Sequence, residues 1–185
     1  MKKLLKLTGG SFAGRKLYVP ETGVRPATNR TREAIFSTLQ SYFPDGVRGL
    51  SVLDLFAGTG SLGLEALSRG AARVTFVDSR AESVRAIHRN LEILGFQAAV
   101  VRDDAGRFLR RWDRIDFDLI FMDPPYSYGG CSVLVGSLKS RMQAESHVIL
   151  VYERAFQEEL PDFGEGITIL KRKRYGQTEL LYYRI

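Results

Sequence analysis

Four residues past the middle of the chain, Asp123-Pro124-Pro125-Tyr126, join a carboxylate, two locked backbone angles and an aromatic ring directly after the apolar run Phe117–Met122. Proline fixes its own φ and biases the preceding residue toward extended backbone. The turn therefore holds the Asp123 carboxylate, and the carbonyl of Asp123 or Pro124, in fixed directions beside the ring of Tyr126. Such a set suits the exocyclic amino group of a nucleobase. That nitrogen is a poor nucleophile because its lone pair is delocalised into the ring. Two acceptors on its two N–H groups orient it and favour pyramidalisation, and a stacked tyrosine holds an extruded base in line. The gain is one of positioning and electrostatics. Asp123 is also placed to take the released proton.

A second set lies upstream. Asp54-Leu55-Phe56-Ala57-Gly58-Thr59-Gly60-Ser61-Leu62-Gly63 follows an apolar run and opens a helical stretch. Gly58, Gly60 and Gly63 satisfy G-x-G-x-x-G, and Asp78 follows Gly60 by 18 residues, near the ribose-binding position of dinucleotide sites. That pattern alone admits an NAD-dependent oxidoreductase. Asp54 argues against it, because a carboxylate just before the turn repels a pyrophosphate at close range. The methionine part of S-adenosylmethionine carries an ammonium and a sulfonium and no phosphate. Asp54 suits that ligand directly or through water, Asp78 suits its ribose hydroxyls, and Gly58 and Gly60 let backbone approach closely. Asp103-Asp104-Ala105 is placed to meet the adenine ring, and Phe56, Ala57 and Ser79 complete the expected lining. Each acid also has a local use as a cap of its own turn. Three acids at successive strand ends nevertheless converge on the edge where such sheets bind ligands.

The elements that must position these residues alternate. Ser51–Phe56, Arg73–Val77, Gln97–Val101, Phe117–Met122 and His147–Tyr152 read as strands. Ser61–Ser68, Ala81–Leu94, Ala105–Arg111 and Cys131–Met142 read as the helices between them. Ile167–Arg174 and Glu179–Arg184 form a hairpin around Tyr175-Gly176-Gln177-Thr178. The expectation is α/β: a doubly wound, mostly parallel seven-stranded sheet with an antiparallel C-terminal hairpin. Ahead of it, Lys3–Leu7 and Arg15–Val19 predict a small hairpin, and Arg30–Phe43 a helix with Ile35, Leu39 and Phe43 on one face. Residues 1–48 are thus expected to be an extension on a domain spanning 49–185.

Charge is unevenly spread. The net charge is +6 over 185 residues, and residues 1–48 hold nine Lys or Arg against three acids, while the remainder balances. A polyanion contact is therefore expected at the front of the chain. The one cysteine, Cys131, cannot form an internal disulfide, and His88 and His147 have no metal-ligand spacing, so no metal site is expected. The start, Met1–Thr8, is broken by Lys6 and Gly9-Gly10 before an apolar signal region forms, which points to a cytoplasmic protein without a membrane span. Lys171-Arg172-Lys173-Arg174 reads first as charge protecting a sheet edge.

Taken together, Asp54–Gly60 and the Asp-Pro-Pro-Tyr turn resemble class I amino-methyltransferases (a Rossmann-like fold), which include adenine-N6 and guanine-N2 enzymes. More narrowly the chain resembles the RsmD family, which methylates a guanine N2 of 16S ribosomal RNA. The segments that carry this are Gly9-Gly10, Gly14–Leu17, Arg25–Glu33, Asp54–Ala71, Asp123–Tyr126 and Tyr175–Thr178, with Ala27 in place of threonine and Asn29 where an acid is common. The resemblance implies S-adenosylmethionine as cofactor and ribosomal RNA or the small ribosomal subunit as substrate; no obligate protein partner is evident in the sequence, and a monomer is the default expectation. It implies that Arg15, Lys16, Arg25, Arg32 and Tyr175 face RNA, and that Thr28 and Arg30 fold over the methionine end of the cofactor; for Arg32, pairing with acidic neighbours along its helix is an equal alternative. An adenine-N6 enzyme on RNA or DNA fits the turn equally well, and the absence of a target-recognition domain argues against a sequence-specific DNA enzyme.

Overall fold

The computed structural model describes residues 5–20, 28–112, 116–125, 128–142 and 147–185. Two of the residues expected in the site, Tyr126 and Arg25, lie outside that set. A short antiparallel pair, β1 (Leu5–Lys6) and β2 (Lys16–Leu17), precedes α1 (Asn29–Leu39). The main body follows as β3 (Ser51–Leu55), α2 (Ser61–Ser68), β4 (Arg73–Asp78), α3 (Ala81–Leu94), β5 (Ala99–Arg102), α4 (Ala105–Arg110), β6 (Leu119–Met122), α5 (Cys131–Lys139), β7 (Ile149–Ala155), β8 (Thr168–Tyr175) and β9 (Thr178–Arg184).

Seven strands form one sheet in the order β5-β4-β3-β6-β7-β9-β8. β5 to β7 run parallel, and β9 and β8 are antiparallel. This is the expected doubly wound sheet closed by a hairpin. Val52, Leu53, Leu55, Leu119, Ile120 and Phe121 are fully buried, as central parallel strands covered on both faces require. Side chains of α1, α2 and α3 fill the core on one face together with Leu5, Leu7 and Leu17 of the leading hairpin. Those of α4 and α5 fill the other. From β3 the chain winds outward through β4 and β5, then returns to lay β6 on the other side of β3. The crevice beyond the carboxyl ends of β3 and β6 is therefore the topological switch point, where ligands bind in such sheets.

Gly63, the third glycine of the turn, earns its place through packing. A Cβ there would lie 2.3 Å from the Phe76 ring of β4 and 2.9 Å from Val74. Alanine would improve helix propensity by about 1 kcal/mol, but a fully buried ring cannot yield that space. Gly63→Ala is expected to destabilise the protein by about 1–3 kcal/mol net, read as a lower melting temperature. An unchanged melting temperature would show that α2 can lift off β4 freely.

Three boundaries differ from the sequence pattern by three residues or more. The first helix stops at Leu39 instead of Phe43, with the Ser41 hydroxyl bonded to the Thr38 carbonyl at 2.6 Å and Pro44 disfavouring helical backbone at Phe43. The fifth helix stops at Lys139, and Ser140 serves as its C-cap. In the other direction, β7 continues to Ala155 because β9 pairs with it along that length, from Ile149 opposite Arg184 to Ala155 opposite Thr178. No helix among the described residues is long and apolar enough to cross a membrane.

Candidate active site

The site is built where three strands stop together. Register pairs Leu55 with Val77 on one side and with Met122 on the other. Phe56, Asp78 and Asp123 thus stand level at the carboxyl edge of β3, β4 and β6. With strands about 4.8 Å apart, Asp78 and Asp123 flank the glycine turn at a separation of roughly 10 Å. The turn itself is held in left-handed backbone: Phe56 has φ 59°, Gly58 56° and Gly60 77°. That conformation is ordinary for glycine and costly for phenylalanine, so the strain at Phe56 sits at the mouth of the crevice.

Hydrogen bonds fix the acids. Asp54 is buried, and its Oδ2 accepts the Gly63 N–H at 2.9 Å. Asp78 accepts the Gly58 N–H through Oδ2 at 2.8 Å and the Arg80 N–H through Oδ1 at 2.9 Å. Asp103 receives Arg111 at 3.0 Å and Arg107 at 3.3 Å, and Asp104 caps α4 by accepting the Arg107 N–H at 3.0 Å. Burial pushes the Asp54 carboxyl well above the ordinary range. The Gly63 N–H opposes that shift, while the neighbouring charges of Asp123 and Asp78 add to it. Burial likewise pushes Asp123 up to about 7. A set of acids that resist ionising together is complementary to a cation and hostile to a phosphate.

A cleft of about 230 Å³ opens beside these strand ends, lined by Phe56, Val77, Asp78, Ser79, Asp103, Asp104, Ala105, Pro125 and Tyr128. Seven of these were expected from the sequence. Asp54, Ala57, Gly58 and Gly60 do not line it; they lie in β3 and in the turn on either side of Phe56. Val77 and Tyr128 were missed. Tyr128 meets the Phe56 ring edge-on at 5.0 Å, and its N–H bonds the Pro125 carbonyl at 3.0 Å. Its signal was an aromatic residue in the loop that begins at Pro124-Pro125, overshadowed by Tyr126.

Residues expected around the rim fare differently. Arg15 and Lys16 are exposed, and so is Arg30. Thr28 does not line the cleft; its hydroxyl is the N-cap of α1, accepting the Thr31 N–H at 3.1 Å. Tyr175 is half-buried against the core at the β8–β9 turn. Arg32 is a correction: its side chain is fully buried, 3.5 Å from Glu65, and donates to the Lys6 carbonyl and to Asn29. RNA cannot reach it, and its role is to tie the leading hairpin to α1 and α2. On β8, Lys173 donates to Thr38 at 2.8 Å and Arg174 covers the Phe156 ring at 3.5 Å, so these two charges are engaged with the protein itself.

If the ionised Asp123 carboxylate does the work, its position near neutrality sets a pH dependence. Its folded pKa lies above the ordinary carboxylate value, so the group is protonated below about 7 and charged above it. Catalytic efficiency is therefore expected to rise as pH increases through about 7 and to level off above 8. A flat kcat/KM profile between pH 6 and 8 would remove the carboxylate from that part of the mechanism.

The strand order, the switch-point crevice and the acid-lined glycine turn define a class I methyltransferase fold. A family model described as "Conserved hypothetical protein 95" matches residues 5–184, and the chain belongs to this family, the RsmD family. Ribosomal RNA small subunit methyltransferase D of Escherichia coli is 32% identical over 97% of this chain and 89% of its own. A solved structure from Escherichia coli, 31% identical, covers 97% of each chain with a TM-score of 0.85. A Thermus thermophilus 16S rRNA N2 methyltransferase, solved with AdoMet and guanosine, is 24% identical with a TM-score of 0.63. The match covers 89% of this chain and 44% of that one, and it is a likeness of fold.

Proposed function

We propose that the chain transfers a methyl group from S-adenosylmethionine to the exocyclic N2 of a guanine in small-subunit ribosomal RNA. The observation that carries the reading is Asp123, a half-buried carboxylate at the end of β6, level with the cleft and pushed up to about 7. The site's chemistry fits the cofactor. Asp54, a buried carboxyl that resists ionising until a cation docks, suits an ammonium, Asp78 suits hydroxyl groups, and Phe56, Val77, Ala105 and Tyr128 offer apolar surface for an adenine ring. When bound, S-adenosylmethionine supplies an electrophilic methyl on a positive sulfur.

The chain's own part is positioning. The Asp123 carboxylate and a carbonyl of the Pro124-Pro125 turn accept the two N–H groups of the target amino nitrogen and hold its lone pair toward the cleft. The proton released after transfer goes to Asp123 or to water. Tyr126 is assigned the stacking role on sequence grounds. The relatives named above support ribosomal RNA as the substrate class, and the guanine assignment follows from the family resemblance.

The test is incubation with isotopically labelled S-adenosylmethionine and 16S ribosomal RNA, free or in small subunits, followed by nucleoside analysis. Label is expected in N2-methylguanosine. Label in N6-methyladenosine would replace guanine with adenine, and binding of NAD in place of S-adenosylmethionine would overturn the reading altogether.

A further inference from the structure

Asn90 is fully buried on α3 and spends its amide on two segments that are distant in sequence. Its Oδ1 accepts the Tyr18 N–H at 2.7 Å, while its Nδ2 donates to the Tyr18 carbonyl at 3.1 Å and to the Thr59 carbonyl at 3.3 Å. Tyr18, just past β2, is thereby fastened to both edges of one amide, against the turn that carries Gly58 and Gly60. The neighbouring helix residue, Arg89, lays its guanidinium over the Tyr18 ring at 4.1 Å. Arg89 is exposed and Tyr18 is 36% exposed. Among the described residues no carboxylate pairs with Arg89. Leu17 is buried, so in an extended segment Lys16 and Tyr18 share the outward face.

These features are hard to explain as packing alone. A buried side chain whose oxygen and both N–H groups are engaged holds an aromatic–arginine stack at the surface, next to a lysine and tied to the glycine turn through Thr59. An arginine stacked on one face keeps its N–H edge for phosphate and its other face for a base, and such pairs are suited to unpaired RNA. We propose that Tyr18 and Arg89, with Lys16, form a contact surface for an unpaired ribosomal RNA segment next to the target nucleotide, and that Asn90 is the residue that positions it. This rests on the RNA reading above but adds α3 to a contact that the charge distribution had confined to the first 48 residues.

The test is binding of 16S ribosomal RNA by the full-length protein across a salt series, with S-adenosylmethionine affinity and melting temperature measured alongside. Arg89→Gln is expected to weaken RNA binding roughly tenfold and to lower the log–log salt slope by about one. Tyr18→Ala should weaken it similarly, and Tyr18→Phe should not. Cofactor affinity should stay within twofold for all three. RNA affinity and salt slope unchanged in Arg89→Gln would overturn the proposal, with or without a fall in melting temperature. A native protein that binds the RNA but transfers no methyl defeats the proposed function and leaves this surface to be judged by the variants. A native protein that binds no RNA defeats the surface.

Discussion

Asp123→Ala is expected to abolish methyl transfer while leaving S-adenosylmethionine affinity within a few-fold, and Asp123→Asn to lower kcat by about 10²–10³. On the proposed function, the alanine variant removes an acceptor for the target amine and spares the cofactor. Asparagine keeps one carbonyl but aims an NH₂ group where an N–H of the substrate must dock. The same asparagine should make the protein more stable. Burial holds Asp123 at about 7, above its unfolded value near 3.9, so the folded protein bears the cost of ionising it. For a carboxylate whose folded pKa is raised, the stability present at low pH is lost as pH climbs through the folded value. Asp123 is half-buried by surface area, which discounts the full shift to about 1–3 kcal/mol, or several degrees in Tm. The gain in Asp123→Asn should therefore appear at pH 8 and fade near pH 4. Thermal melts at the two pH values and single-turnover transfer assays read both effects. An Asp123→Ala protein with native activity would refute the assigned role, and an asparagine variant less stable than the native protein at pH 8 would refute the burial argument.

Much of this could be read in the chain because the chemistry and the fold use the same residues. Asp54 and the glycine turn mark the end of β3, Asp78 the end of β4, and Asp123-Pro124 the end of β6, so three strand boundaries and three site residues come from one signal. Tertiary context decided what periodicity could not. β7 runs on through Glu153-Arg154-Ala155, a stretch too polar to read as strand, because Arg154 is matched across the register by Glu179, with Nε–Oε2 at 2.8 Å and both side chains buried. The front of the chain was the least legible. Its positive charge pointed to a polyanion, but charge counts cannot say which arginine turns inward. Arg30 is exposed and Arg32, two positions later on the same helix, is buried. Arg89 was invisible for the opposite reason, since it lies in a region whose net charge is zero and acquires its setting only when the Tyr18 segment docks on α3.

The inward turn of Arg32 leads to the largest expected loss of stability. Glu65, fully buried on α2, gathers the Thr8 N–H at 2.8 Å, the Thr8 hydroxyl at 2.7 Å, Arg69 at 2.9 Å and Arg32 at 3.5 Å. Glu65→Ala would leave the Arg32 guanidinium buried without its carboxylate and strip the first hairpin of its anchor. A loss of about 3–5 kcal/mol is expected, which lowers Tm by roughly 10 °C in a chain of this size. Solvation decides the magnitude: removing one partner exposes the full cost of the other, whereas replacing both with apolar groups avoids it. The double variant Arg32→Met/Glu65→Leu should consequently be more stable than Glu65→Ala, and if it melts as low as the single variant, the pair matters for shape and not for charge. The functional consequence separates from the thermal one. α2 begins at the glycine turn, and α1 and the hairpin are what Glu65 ties to it, so a folded Glu65→Gln protein assayed well below its melting point should show a higher KM for RNA with cofactor affinity nearly unchanged. Equal losses for both ligands would mean that the network supports the cleft itself rather than the extension docked beside it.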